Sequence, residues 1–138
     1  MKKQTLRTVF VSMCVTLLVL VGSTAFANER INLQALMAKR VPVLLEFGRG
    51  WCKPCKYMKP ILDDMERAYA GRAIVKAVDM DANADLVRSF GIRVMPTQIF
   101  LMSDGREFMR NEGTLEREQI MQIFSKMGLA PPRLGAAR

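Results

Sequence analysis

The chain has 138 residues, enough for one domain, with half of them hydrophobic and a quarter charged, which is ordinary for a globular protein. Its formal net charge of +8 comes without a long basic run or an aromatic platform, so nothing points to a nucleic-acid partner. Histidine is absent and cysteine occurs three times, which excludes Ser-His-Asp and Cys-His nucleophiles and leaves too few soft ligands for a zinc site.

Lys2, Lys3 and Arg7 precede an apolar core from Val9 to Val21, and Ala25-Phe26-Ala27 supplies a small-x-small site. That is the layout of a secretory signal peptide over residues 1–27, with cleavage expected after Ala27. An uncleaved anchor is the rival reading, although the core is short and Gly22-Ser23-Thr24 interrupts it. Cys14 lies inside the core with no lipoprotein box around it, and is expected to leave with the segment. The protein is therefore expected in the periplasm or secreted, and attached to a membrane only if the segment is retained.

The folded domain is expected over residues 28–129. A short helix reads over Leu33 to Lys39 and a buried strand over Val41 to Phe47. A long helix follows from Cys52 to Ala70, with a kink expected at Pro60 because proline removes one backbone hydrogen bond, and Gly71 ends it. Its positions Cys55, Met58, Leu62, Met65 and Tyr69 recur at spacings of three and four and define a buried stripe, while Lys56, Lys59, Asp63 and Arg67 face away. Ala73 to Asp79 is the next strand, and Asn83 or Asp85 caps a short helix ending before Gly91. Thr97 to Met102 and Glu107 to Asn111 flank the turn Ser103-Asp104-Gly105-Arg106 and read as a hairpin. A last helix from Leu115 to Met127 carries Ile120, Ile123, Phe124 and Met127 on one face and stops at Gly128. The order is βαβ followed by ββα, and the tail from Ala130 to Arg138 lacks any pattern for regular structure.

The chemistry is concentrated at Cys52-Lys53-Pro54-Cys55, preceded by Trp51. Two thiols three residues apart at a helix start can close a small disulfide ring and reopen it. Unpaired backbone N–H groups and the macrodipole stabilise a thiolate at Cys52, Lys53 adds a cation, and Pro54 has no N–H to lose in the first turn. Cys55 falls on the buried stripe and Cys52 at the exposed rim, so Cys52 is expected to attack and Cys55 to resolve the mixed disulfide.

Glu46-Phe47 through Trp51-Cys52-Lys53-Pro54-Cys55-Lys56, Pro60, Val78-Asp79-Met80-Asp81 and Gly91-Ile92-Arg93-Val94-Met95-Pro96-Thr97 together resemble the thioredoxin family, with matching spacing from Glu46 to Thr97. The resemblance runs from about Leu33 to Met127. It implies an α/β thioredoxin fold, a central mixed sheet of four strands, or five with an N-terminal edge strand, flanked by helices. It also implies that Pro96 is cis and lies against the disulfide, that the Met95 backbone pairs with an extended substrate segment, and that substrate fits around Trp51. Glu46, in a strand buried on both faces, would have its pKa raised by desolvation and could exchange a proton with Cys55. Three departures stand out. The segment before Leu33 is short for an edge strand, Ala77 stands where a buried lysine is usual with Lys76 one position earlier on the opposite face, and Gly48-Arg49-Gly50 replaces a bulkier loop.

The reading that follows is an exported thiol-disulfide oxidoreductase that needs no cofactor, acts as a monomer on protein disulfides through Cys52 and Cys55, and draws electrons from a membrane thiol donor. Reduction is favoured over oxidation or isomerisation because the tetrad lacks the histidine of strongly oxidising motifs and no large helical insertion separates Cys55 from Pro96. The alternative from another class is a Cu(I)-binding module using Cys52, Cys55 and Met95, since thiolate and thioether sulfur suit that ion.

Overall fold

The structure, a computed structural model, describes residues 30–132. The expected signal segment, Cys14 within it, and the last six residues of the expected tail lie outside the described residues. Helix α1 (Leu33–Met37) leads to strand β1 (Val43–Gly48), helix α2 (Lys53–Ala68), strand β2 (Ile74–Asp79), helix α3 (Ala84–Ser89), strands β3 (Thr97–Leu101) and β4 (Glu107–Glu112), and helix α4 (Arg117–Lys126). The sheet order is β2-β1-β3-β4, parallel between β2 and β1 and antiparallel elsewhere. This is a four-stranded mixed sheet, and among the described residues β2 has no neighbour on its outer side.

The elements fall where hydrophobic periodicity places them, and their ends move for local reasons. Helix α2 starts one residue late because Cys52 has an extended backbone and serves as its N-cap, and it ends at Ala68 with Tyr69 as C-cap. It continues through Pro60 in one piece. Helix α4 starts at Arg117 because Glu116 is its N-cap, with its backbone N–H bonded to the Gln119 side chain at 2.8 Å. Asn83 caps α3, and its side chain accepts from the Ile31 N–H (2.7 Å) and donates to the Asp79 carbonyl (2.8 Å), tying the first described residues to the end of β2. At the other end Arg72 donates to the Ala130 carbonyl at 2.8 Å, so the first tail residue is held on the domain.

Alternation along the strands sorts the core into two layers. Val43, Leu45, Phe47 and Ile99 face one side and pack with Leu86, Ile92 and residues of α1. Leu44, Val75 and Phe100 face the other and pack under α2 and α4 against Met58, Leu62, Met65, Ile120 and Phe124. By the same alternation Glu46 and Gly48 on β1, Ala77 on β2 and Gln98 on β3 lie on the α2 side. Lys76 lies on the opposite side of β2 by register, yet from this edge strand its long side chain reaches α2 and bonds Glu66 at 2.7 Å.

Phe124 is fully buried, with its ring 4.6 Å from that of Tyr69 and 5.8 Å from that of Phe100 between centroids. Phe124→Ala is expected to destabilise the domain by about 3–5 kcal/mol in urea unfolding, through lost burial and the cavity left behind.

Candidate active site

Strand β1 ends at Gly48, the chain turns through Arg49, Gly50 and Trp51, and Cys52 then caps α2. The turn closes with the Cys52 N–H on the Arg49 carbonyl at 3.0 Å. Cys52 and Cys55 are joined by a disulfide, with an S–S distance of 2.07 Å and Cα atoms 5.3 Å apart. The Cys52 Sγ also accepts a hydrogen bond from the Cys55 backbone N–H at 3.2 Å. After reduction that N–H, one of the unpaired donors of a sixteen-residue helix, is aimed at the sulfur and favours its thiolate form.

The expected contrast between an exposed Cys52 and a buried Cys55 is corrected by the structure: they are 4% and 8% exposed. In the closed ring the Cys52 sulfur is bonded to Cys55 and accepts from the Cys55 N–H at the helix start. What separates the two sulfurs is what each one faces. Cys52 faces backbone donors at the helix start, whereas Cys55 lines a pocket of about 530 Å³ together with Glu46, Gly48, Leu62, Ala77 and Val78.

Glu46 is 3% exposed, and its Oε1 has no hydrogen-bond partner among the described residues. Desolvation by burial pushes its pKa up from 4.5 to about 7. Its carboxyl and the Cys55 sulfur converge at Gly48: a Cβ added there would lie 2.9 Å from the Cys55 Sγ and 3.1 Å from the Glu46 Oε1. Any side chain at position 48 would separate the two groups, and glycine lets the strand end approach the ring. Ala77, opposite Glu46 in the register, leaves the outer flank of the carboxyl open to the pocket, where a lysine would have filled it.

Trp51 is 67% exposed and Val94 44%. The Met95-Pro96 peptide is cis, as the resemblance implies. Pro96 is buried, its carbonyl accepts from the Gly113 N–H at 2.8 Å, and Thr97 bonds the Val94 carbonyl through its hydroxyl at 2.8 Å. Met95 is half-buried against the layer that holds Phe47 and Ile92. Arg49 pairs with Asp81 at 2.9 Å and places its guanidinium 6.0 Å from the Trp51 ring centroid, bracing the loop that carries the tryptophan. Lys59 is engaged by Asp63, while Lys53 and Lys56 are exposed. Among the described residues, no three His, Cys, Asp or Glu side chains are grouped to hold a metal ion, and no helix is long and apolar enough to cross a membrane.

Two residues of the site were not singled out from the sequence. Gln98 is fully buried in β3, and Asn111 beside it in β4 donates to its Oε1 at 2.7 Å. The signal was there: Gln98 directly precedes the apolar run Ile99 to Leu101, a polar residue in a buried strand as Glu46 is in β1.

A reducible sulfur pair at a helix start, backed by a carboxyl withheld from water, in a fold that also carries a cis proline before β3, defines a dithiol oxidoreductase. Known proteins agree. The Thioredoxin family model matches residues 24–126. Thioredoxin of Pseudomonas aeruginosa is 35% identical over 79 residues, covering 57% of this chain and 72% of its own. That of Haemophilus influenzae is 30% identical over 86 residues, covering 62% and 79%. Among solved structures, a crystal structure of chloroplastic thioredoxin z superposes with a TM-score of 0.64 at 28% identity, over 72% of this chain and 93% of that one. The chain belongs to the thioredoxin family.

Two outcomes follow from this geometry. Because the folded pKa of Glu46 lies above its unfolded value, the folded protein binds the extra proton, so this group's contribution to stability is lost as pH rises from 4.5 through about 7 and is level above that. Glu46→Gln, which cannot ionise, is expected to raise stability at pH 8 by up to about 3 kcal/mol and to flatten that pH dependence in urea titrations. Gly48→Ala is expected to lower the unfolding free energy by about 1–3 kcal/mol, because its methyl group overlaps the Cys55 sulfur.

Proposed function

We propose that this thioredoxin-family oxidoreductase is an exported protein-disulfide reductase, recharged by a membrane thiol-disulfide donor. The observation that carries the dithiol-exchange reading is the placing of the Cys52–Cys55 disulfide beside an unpartnered buried carboxyl, and the reductive direction is favoured by a tetrad without histidine and by the lack of a large helical insertion between Cys55 and Pro96. In the reduced protein the Cys52 thiolate attacks one sulfur of a substrate disulfide, forming a mixed disulfide and releasing the first substrate thiolate. Glu46, ionised at that stage, takes the Cys55 proton, and the Cys55 thiolate attacks the Cys52 sulfur. The second substrate thiolate leaves, the ring closes, and two electrons have passed from the protein to the substrate. Trp51, exposed beside Cys52 in the chain, and the backbone at Met95, before the cis proline, are where an extended substrate segment would lie.

Export is supported by the basic, apolar and small-x-small order of residues 1–27. An exported reductase consumes its dithiol at each turnover, and no second cysteine pair on the chain can restore it, hence the external donor. The oxidising alternative would need a dithiol form stabilised far more than the disulfide. The Cu(I) alternative finds no support in Met95, which packs against the core layer of Phe47.

The experiment is equilibration of the mature domain with glutathione or dithiothreitol. A reduction potential near that of thioredoxin, about −270 mV, is expected, and a value near −120 mV would reverse the direction. Cys52→Ser should abolish reduction of insulin disulfides, whereas Cys55→Ser should trap the mixed disulfide on Cys52.

A further inference from the structure

One row of residues crosses the whole sheet on the α2 side. Ala77 on β2 pairs with Glu46 on β1, Glu46 with Gln98 on β3, and Gln98 with Asn111 on β4. The row is small at one end and polar in the rest, in a layer otherwise filled by Leu44, Val75, Phe100 and the helix side chains. Gln98 is fully buried, and a buried carboxamide without partners would be costly, so its hydrogen bonds have to be accounted for.

The direction of the Gln98 carboxamide follows from its neighbours. The Asn111 side chain donates from Nδ2 to the Gly113 carbonyl at 3.1 Å, and a carbonyl can only accept, so Nδ2 is a donor. The same Nδ2 lies 2.7 Å from Gln98, and the atom it meets must therefore be Oε1. With its oxygen committed toward β4, the Gln98 amide nitrogen points away from β4, toward the β1 side of the sheet and up to α2. There it donates to the Met58 Sδ at 3.1 Å. A thioether is a weak acceptor, and an amide nitrogen carries two hydrogens. The neighbour on β1 is Glu46, whose Oε1 has no partner among the described residues.

We infer that Gln98 is a positioning residue for Glu46: its amide N–H rests on the Met58 sulfur while Glu46 is protonated and turns to the Glu46 carboxylate when Glu46 ionises, with Asn111 fixing the direction of the carboxamide. A carboxylate is a far stronger acceptor than a thioether, and hydrogen bonds to a charged acceptor are about twice as strong as neutral ones. Gln98 thus stabilises the form of Glu46 that accepts the Cys55 proton, and it does so only in that form. The other charged groups around the carboxyl line the pocket on its far flank: Lys56 and Lys59 from α2, Lys76 and Asp79 from β2, and Arg49 from the loop. Arg49, Lys59 and Lys76 each already hold a carboxylate partner and Lys56 is exposed on α2, so the donor inside the sheet is the carboxamide.

The proposal rests on Glu46 serving as the proton acceptor in the reading above, but its test needs no substrate. The side-chain carboxyl of Glu46 is followed by carbon NMR in the oxidised, ¹³C-Glu-labelled domain and assigned by its loss in Glu46→Gln. Gln98→Leu is expected to raise the Glu46 midpoint by about one pH unit, the loss of one hydrogen bond to the charged form. Gln98→Met, unbranched and of similar length, is the second variant should the leucine pack poorly. Asn111→Ala is expected to move the midpoint in the same direction by a smaller amount, an effect that packing around Glu46 would not produce because Asn111 is two strands away. Met58→Leu removes the competing acceptor and should leave the midpoint at or below that of the parent protein. A cooperatively folded Gln98→Leu or Gln98→Met domain whose Glu46 midpoint stays in place or falls overturns the inference, as does an Asn111→Ala domain with an unmoved midpoint. A redox potential on the oxidising side would sink the reductase reading and leave this result standing.

Discussion

Holding a carboxyl group out of water behind a disulfide ring is the constraint on which the rest of this structure depends. Glu46 sits in the central pair of strands, where both faces are covered, and its ordinary ionisation is suppressed until near neutral pH. At pH values above that, the fold carries a charge it has not solvated well, a penalty comparable with a sizeable part of the few kcal/mol by which domains of this size are stable. The aromatic cluster of Tyr69, Phe100 and Phe124 and the apolar stripe of α2 lie in the same layer as the carboxyl. The burial that makes Glu46 costly is therefore the burial that holds the layer together.

The ring and the carboxyl meet only because β1 ends in glycine. A thioredoxin-type turn must bring a strand end and a helix start within contact, and the sulfur of Cys55 occupies the volume that a side chain at position 48 would claim. The loop that follows has lost bulk at Gly48 and Gly50 and is braced by charge, with Arg49 bound to Asp81 across the site and near the face of Trp51. An exposed ion pair of this kind contributes little to global stability. Its consequence is local, since it connects the tryptophan loop to the turn after β2.

Much of this was legible in the sequence, because periodicity and punctuation are read from the same residues that build the elements. Every strand and helix of the domain forms where the pattern places it, and the helix ends shift by one or two residues where a cap decides, at Cys52 and at Glu116. The dithiol and Glu46 stand out because each is locally unusual, paired thiols at a helix start and a carboxylate in a buried strand, whereas Pro96 was carried by the resemblance alone, since a proline at a strand start is ordinary. The exposure of Cys52 was misread because helix periodicity describes the helix surface and not the closing of a ring over its end. Gln98 and Asn111 escaped because their meaning is in the register. Only pairing across three strands puts them in line with Glu46, and register depends on how the strands are aligned rather than on any one of them. Ala77 was read as a missing lysine, whereas the pocket it opens needs the position of α2 as well.

The two flanks of Glu46 are unlike, and their difference gives the carboxyl a direction. Toward β2 it borders an open pocket, shared with Cys55 and rimmed by basic side chains, through which a proton can reach or leave the solvent. Toward β3 it borders a carboxamide whose oxygen is already committed to Asn111, so that only donors face it. In the proposed cycle, where Glu46 accepts a proton from Cys55 in one step and loses it before the next, both flanks contribute: the donor side lowers the cost of being charged, and the wet side lets the proton go. A lysine at position 77 would supply the charge stabilisation and close the route. With alanine there, a neutral donor inside the sheet takes over the first role and leaves the second open, which accounts for a buried glutamine in a strand that packing alone would have filled with leucine.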